Sequence, residues 1–263
     1  MKNLILVLFA ISFSAIFGQN KKIVATKINS ITVDADEFIG TDSFGFSYSV
    51  KNNVFSKTEA EKSFEYKNIS LGKITRVDLQ NPMQIVLFYE NFNTVVMLDN
   101  QLNETQKLNF SENNIPINAI ATGIASKNRL WIYNSLSQQI GLYDYLKNTF
   151  QSITPSFQGT LKHYESDFNT FYWIDEKNNL YSCSIFGKST LLGKIPDFDQ
   201  IQVVSNSVMI YKKNNALYYY TLNDDKATLI DFDKKSFDNF YYKDQILAIF
   251  TSKQITNYKI ILP

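Results

Sequence analysis

A unit recurs about every forty residues along this chain: a short aromatic-rich strand, a turn containing Asn or Lys, and a second strand. In order, the strand pairs read FGFSYSV/VFSKTE, MQIVLFY/TVVMLD, RLWIY/QIGLYDY, TFYWID/LYSCSI, SVMIY/ALYYYTL and QILAIF/QITNYKI. Their first strands begin near Phe44, Met83, Arg129, Thr170, Ser207 and Gln245. A strand-built repeat of this period marks a β-propeller, because a single four-stranded blade cannot cover its own two faces and needs a neighbour on each side. The expectation is an all-β propeller of six four-stranded blades, with five or seven as alternatives. At 263 residues the chain is long enough for one such domain.

Other markers keep the same period. Pro116, Pro155 and Pro196 each precede a new repeat, and Phe157, Phe198 and Phe237 follow at similar spacing. Proline lacks a main-chain donor and belongs at edges and connections, so these positions mark passages from the outer strand of one blade to the inner strand of the next. KNN at 51–53, ENFN at 90–93, EKNN at 176–179 and KKNN at 212–215 fall between paired strands, where Asn accepts left-handed backbone. Loop tips on a rigid scaffold are also the usual seat of binding. The candidate binding residues are therefore Phe92, Asn93, Phe157, Asn178 and Asn214. The last repeat lacks an outermost strand, and KKIVATKI, at 21–28, has the character to supply it. Pairing the N-terminal strand with the C-terminal blade then closes the ring and removes an exposed edge.

Residues 1–18 stand apart. Lys2, the apolar run LILVLFAISFSAIF and Gly18 ahead of Gln19 read as a secretory signal peptide. The run is about fourteen residues, against the roughly twenty that a membrane-crossing helix needs. The expected division is 1–18 signal peptide and 19–263 a single propeller, exported and carrying no transmembrane segment. The one cysteine, Cys183, is far from the cut, so no lipoprotein attachment is expected; without a second cysteine it forms no internal disulfide and reads as a small buried hydrophobe. A net charge of +1 offers no basic field for nucleic acid or an anionic membrane.

Nothing in the sequence has the spacing of a catalytic or metal-binding motif, and the single histidine, His163, excludes most Ser–His, Cys–His and His-rich metal chemistry. No cofactor or metal is expected. Carboxylates are the remaining catalytic route: Asp78, Glu165, Asp199 and Asp238 fall on or beside predicted inner strands, where a propeller glycosidase would set an acid and its partner. Tyr218–Tyr220 and Phe240–Tyr242 alternate between the faces of a strand and read as core; a carbohydrate-stacking platform is the other reading.

FYWIDEKNNLYSCSIFGK, at 171–188, is similar to the YWTD repeat of six-bladed receptor propellers: Tyr172, Trp173 and Asp175 match and Ile174 departs. LWIYN at 130–134 and VLFYEN at 86–91 keep an aromatic–aliphatic echo of it. The Asn-, Lys-, Phe- and Ile-rich strands and the signal ending before Gln resemble small exported propellers of Gram-negative bacteria that use type IX secretion. This resemblance implies a non-enzymatic periplasmic protein with a protein partner, as an accessory or plug of an outer-membrane translocon. It also implies retention in the periplasm, since a C-terminal sorting domain is not seen after the last strand. A glycan-binding module and a glycosidase acting on envelope polysaccharide are the alternatives.

Overall fold

Asparagine closes the hairpins where the sequence places it. Asn52, Asn53, Asn93, Asn178, Asn214 and Asn215 all hold positive φ, between 47° and 62°, a region that Asn tolerates better than other side chains with a Cβ. In the computed structural model, described for residues 22–112, 116–233 and 236–263, these turns organise six sheets that follow one another along the chain. Within each sheet the four strands of the blade pair antiparallel from an inner strand outward, and in the first five blades they do so in sequence order.

The inner strands are Glu37–Thr41, Arg76–Asp78, Ala119–Ala125, Leu161–Ser166, Gln200–Val203 and Asn239–Lys243, for blades one to six. The second strands start at Ser47, Ile85, Arg129, Thr170, Val208 and Ile246; two coincide with the predicted starts and the others begin one to three residues later. The expected six-bladed all-β propeller is thus the fold.

Blades are covered on both faces, so their middle strands read as apolar runs rather than as alternating sequence. Ile85–Tyr89 and Thr94–Leu98 are buried along their whole length. The cores lie between blades. Trp131, Tyr133, Ile140 and Leu142 of the third blade pack on Phe171, Trp173 and Cys183 of the fourth. Cys183 is fully buried there, and that burial pushes its thiol pKa up. The Tyr218–Tyr220 run divides as its alternation predicts: Tyr219 faces the sixth blade's core, while Tyr218 and Tyr220 face the fourth.

Thr26–Thr32 pairs antiparallel with Gln254–Lys259, from Thr26 opposite Lys259 to Thr32 opposite Gln254, and so becomes the outer strand of the last blade. The expected closure is present, with one correction to its extent. KKIVATKI is not one strand, because Ile23–Val24 lies parallel on Lys226–Asp231 of the fifth blade. Ile23 is buried there among Leu217, Ile230 and Tyr258. The N-terminal segment therefore ties two blades together. The expected signal peptide, 1–18, lies outside the described residues.

Strand direction gives the ring two ends. The connections between blades and the hairpins joining second to third strands share one, called upper here; the turns joining first to second and third to fourth strands share the lower. Deleting Thr26–Thr32 leaves Gln254–Lys259 as an open edge. A drop in Tm of about 10 °C or more is expected by calorimetry, and a Tm equal to that of the intact chain would contradict the closure.

Candidate functional site

The inner strands enclose a cavity of about 610 Å³ on the ring axis, lined from Thr75 near the upper end to Gln80, Asp167 and Val204 near the lower. Of the four carboxylates picked out from the sequence, Asp78 and Glu165 line it, and Asp199 and Asp238 do not. Asp78 Oδ1 accepts the Gln80 amide at 2.8 Å and Oδ2 the Ile124 amide at 2.7 Å. Burial pushes the Asp78 pKa up, opposed by those two amides and the Arg76 charge and reinforced by Glu165. Glu165 holds His163 Nε2 at 2.9 Å through one oxygen and accepts the Val203 amide at 3.2 Å through the other. Both oxygens of both acids are thus engaged with the protein itself. Arg76, missed by the sequence reading, stacks its guanidinium 4.9 Å from the centre of the Tyr164 ring.

Gly123 makes this crowding possible. A Cβ there would lie 2.0 Å from Ser166 Oγ and 2.9 Å from Asp78 Oδ2, so only glycine lets the inner strands of blades two, three and four meet. Among the described residues no group of three or more His, Cys, Asp or Glu side chains is arranged to hold a metal ion.

Asp199 and Asp238 have a different task. A polar residue stands immediately before every inner strand, namely Asp36, Thr75, Asn118, Thr160, Asp199 and Asp238. Each bonds the hairpin between the second and third strands of its own blade. Asp36 accepts the Asn52 amide at 2.7 Å, Thr75 Oγ1 the Glu90 amide at 3.1 Å, and Asp199 the Asn214 amide at 2.9 Å. Asn118 donates to Ser135 Oγ at 2.7 Å and Thr160 to Glu176 Oε1 at 2.9 Å, while Asp238 accepts both the amide and the hydroxyl of Ser252. These are latches at the upper end. They correct the expectation that Asp199 and Asp238 belong to an acid pair at the channel.

The five loop-tip candidates all lie at the upper end, on blades two, four and five and on the connection from blade three to four. Phe92 is 47% exposed, and Asn214 is exposed as well. Asn93 is buried: its amide nitrogen donates to the Ile117 carbonyl at 2.6 Å and its oxygen accepts the Ala119 amide at 2.9 Å, so it splices blade two to blade three. Phe157 is half-buried, stacked on Trp173 at 5.2 Å and tilted against Tyr133. Asn178 Oδ1 accepts Lys162 Nζ at 2.8 Å.

The lower end has a feature that the sequence reading passed over. Phe44, Met83 and Leu146, on three successive blades, are 61%, 57% and 68% exposed. In each case the residue two positions earlier fixes the tip: Asp42 Oδ1 accepts the Phe44 amide at 2.9 Å, Asn81 Oδ1 the Met83 amide at 3.0 Å, and Asp144 Oδ1 the Leu146 amide at 3.1 Å. This Asx turn is a local backbone device that makes no demand for an apolar side chain at the tip. At the same end Asp99 and Asp167 hold Gln101 and Asn169 in the same way. The Met83 and Leu146 loops also touch, since Gln84 Nε2 lies 3.1 Å from the Tyr145 hydroxyl. The signal available in the sequence is Asp or Asn two residues ahead of a large apolar residue in a turn.

Ring, channel and latches define the class as a six-bladed β-propeller. No protein-family model matches the chain, and no curated protein matches it. Solved structures that share the fold include virginiamycin B lyase from Staphylococcus aureus, at 12% identity over 93% of this chain and 97% of that one, with a TM-score of 0.57. BamB from Moraxella catarrhalis matches at 9% identity over 89% of this chain and 99% of that one, with a TM-score of 0.52. The propeller domain of Cps50 (Swd1) from Myceliophteria thermophila does so at 9%, over 90% and 100%, with a TM-score of 0.56. An enzyme is among them, and at such identities the likeness is one of fold alone. Among the described residues no helix is long and apolar enough to cross a membrane.

The latches make stability depend on pH in a definite direction. The Asn214 amide holds the Asp199 carboxyl below the ordinary value of 3.8, and the Ser252 hydroxyl and amide do the same for Asp238. A lowered folded pKa contributes stability that is complete above the unfolded value and is lost as pH falls through the folded one. Below pH 3.8, the unfolded reference value, the Tm is expected to fall less steeply in the Asp199→Asn, Asp238→Asn double variant than in the natural chain. Equal acid slopes in thermal melts would remove the latches from the account.

Proposed function

We propose that this chain is a non-enzymatic binding and scaffold protein of the bacterial cell envelope whose partner is another protein. In its narrower form the proposal is an accessory or plug subunit of an outer-membrane type IX export translocon. The observation that carries it is the set Phe44, Met83 and Leu146, apolar side chains held outward on loops that their own main-chain bonds have already fixed. Apolar anchors that are rigid before contact lose little conformational freedom on docking, so most of their burial appears as affinity. Asp78 and Glu165, by contrast, have no oxygen left unengaged by the protein, which favours binding over acid–base chemistry in the channel. Export is supported by the N-terminal apolar run, and the translocon by the resemblance in strand composition. Phe92, Phe157, Asn178 and Asn214 belong to a second surface, at the upper end, where a glycan-binding reading would centre.

The test is recovery of the crosslinked protein from native envelopes, comparing the natural chain with a Phe44→Ser, Met83→Ser, Leu146→Ser variant. An outer-membrane protein is expected with the natural chain and not with the variant, whose Tm stays within about 3 °C because exposed substitutions change stability little. Recovery of the natural chain alone would overturn the reading. So would turnover of envelope polysaccharide that is abolished by Asp78→Asn.

A further inference from the structure

The apolar tips of the lower end do not stop at the third blade. Phe186, in the turn between the third and fourth strands of the fourth blade, is 92% exposed, and Ile261, just after the third strand of the sixth, is 72% exposed. One hydrogen bond shows that both hold the place of Leu146. The amide immediately before the tip donates to a carbonyl in the turn between the first and second strands: Tyr145 to Asn128 at 3.2 Å, Ile185 to Asn169 at 2.8 Å and Ile260 to Gln245 at 2.9 Å. In the fifth blade the exposed apolar residue is Val204, beside the channel mouth. Every blade therefore carries an exposed apolar tip at this end: Phe44, Met83, Leu146, Phe186, Val204 and Ile261. In the loops of the upper end, among the described residues, such side chains are Ile69, Phe92 and Leu136, and blades four to six have none.

We infer that the docking partner sits coaxially on the lower end and closes the channel mouth. The inference rests on the protein-docking reading above and states where that partner lies. In a ring of six blades Phe44 stands across the axis from Phe186, Met83 from Val204, and Leu146 from Ile261. A body that buries both members of such a pair passes over the mouth between them. Single exposed apolar residues are ordinary on a protein surface, but one on every blade around one opening is a closed set. A partner confined to blades one to three would leave Phe186, the most exposed of the six, in water. Phe186 is also fixed before contact, since the Ser184 carbonyl accepts the Gly187 amide at 2.8 Å and the Ser184 amide donates to the Lys188 carbonyl at 3.0 Å. Charge at the centre selects the kind of occupant. Gln80 and Asp167 stand at the lower limit of the cavity. A lipid leaflet would bring phosphates against Asp167, and a second copy seated face to face would bring its own Asp167. A different protein can present hydrogen-bond donors there, so the face that fits has an apolar margin around a polar, donor-bearing centre.

Maleimide labelling of one introduced cysteine tests the inference. Cys183 is fully buried and does not compete, so Gln80→Cys, at an exposed position on the mouth, reports access from the lower end. Leu136→Cys is its counterpart on the upper end. The Gln80→Cys thiol is expected to react about tenfold more slowly in isolated native envelopes than in the purified protein, the ratio that about 90% occupancy gives, while the Leu136→Cys thiol reacts equally in both. Adding Phe186→Ser to Gln80→Cys is expected to bring the envelope rate back toward the purified one, and thermal melts check that the variants are folded. Equal Gln80→Cys rates in envelopes and in solution, with an outer-membrane protein still recovered on the natural chain, overturn the coaxial seat and leave the docking reading standing; recovery of no partner removes both. Shielding of the purified protein by phosphatidylethanolamine–phosphatidylglycerol vesicles, or by raising its own concentration, assigns the face to lipid or to a second copy and overturns the inference as well.

Discussion

Everything else in the molecule rests on the pairing of Thr26–Thr32 with Gln254–Lys259. A ring of sheets has no edge to spare: each blade buries its faces only because a blade stands on either side, and the last gap is bridged by residues 222 or more positions apart, with Ser30 and Thr256 joined through their hydroxyls at 3.1 Å. Ile23–Val24 extends the bridge to a second blade by lying on Lys226–Asp231. Contacts at such separation carry a large loop-closure cost in folding. The seam is therefore where an otherwise uniform repeat concentrates its dependence on a single strand.

Closure has a consequence for function, because most chemically conspicuous residues turn out to build the ring. Asp199 and Asp238 latch hairpins, Asp78 and Glu165 lace neighbouring inner strands, and Asn93 splices two blades. In the first blade Lys57 is buried over the Phe46 ring, 4.3 Å from its centre, and donates to the Asn100 carbonyl at 2.9 Å. Residues without such a task stand out by contrast. They are the fixed apolar tips at the lower end.

Much of the fold was legible in the sequence because the repeat is local. Arg129 and Thr170 begin second strands at the expected residues, and the Asn-bearing turns take the left-handed backbone anticipated for them. The site was less legible, since it depends on contacts between blades. Glu165 meets Val203 across 38 residues and Asp78 meets Ile124 across 46, separations that no local pattern encodes. The division of the first strand between two blades was hidden for the same reason. Two signals were present and unread: a polar residue before each inner strand, and Asp or Asn two residues before Phe44, Met83 and Leu146.

Native-state hydrogen exchange followed by mass spectrometry tests the closed ring most directly. If the first and last strands form one cooperative seam, the amides of Gln254–Lys259, which lies between Thr26–Thr32 and Ile246–Thr251, exchange as slowly as those of Ile85–Tyr89 in the second blade. Exchange of Gln254–Lys259 at the rate of an open edge, with Ile85–Tyr89 still protected, would contradict it.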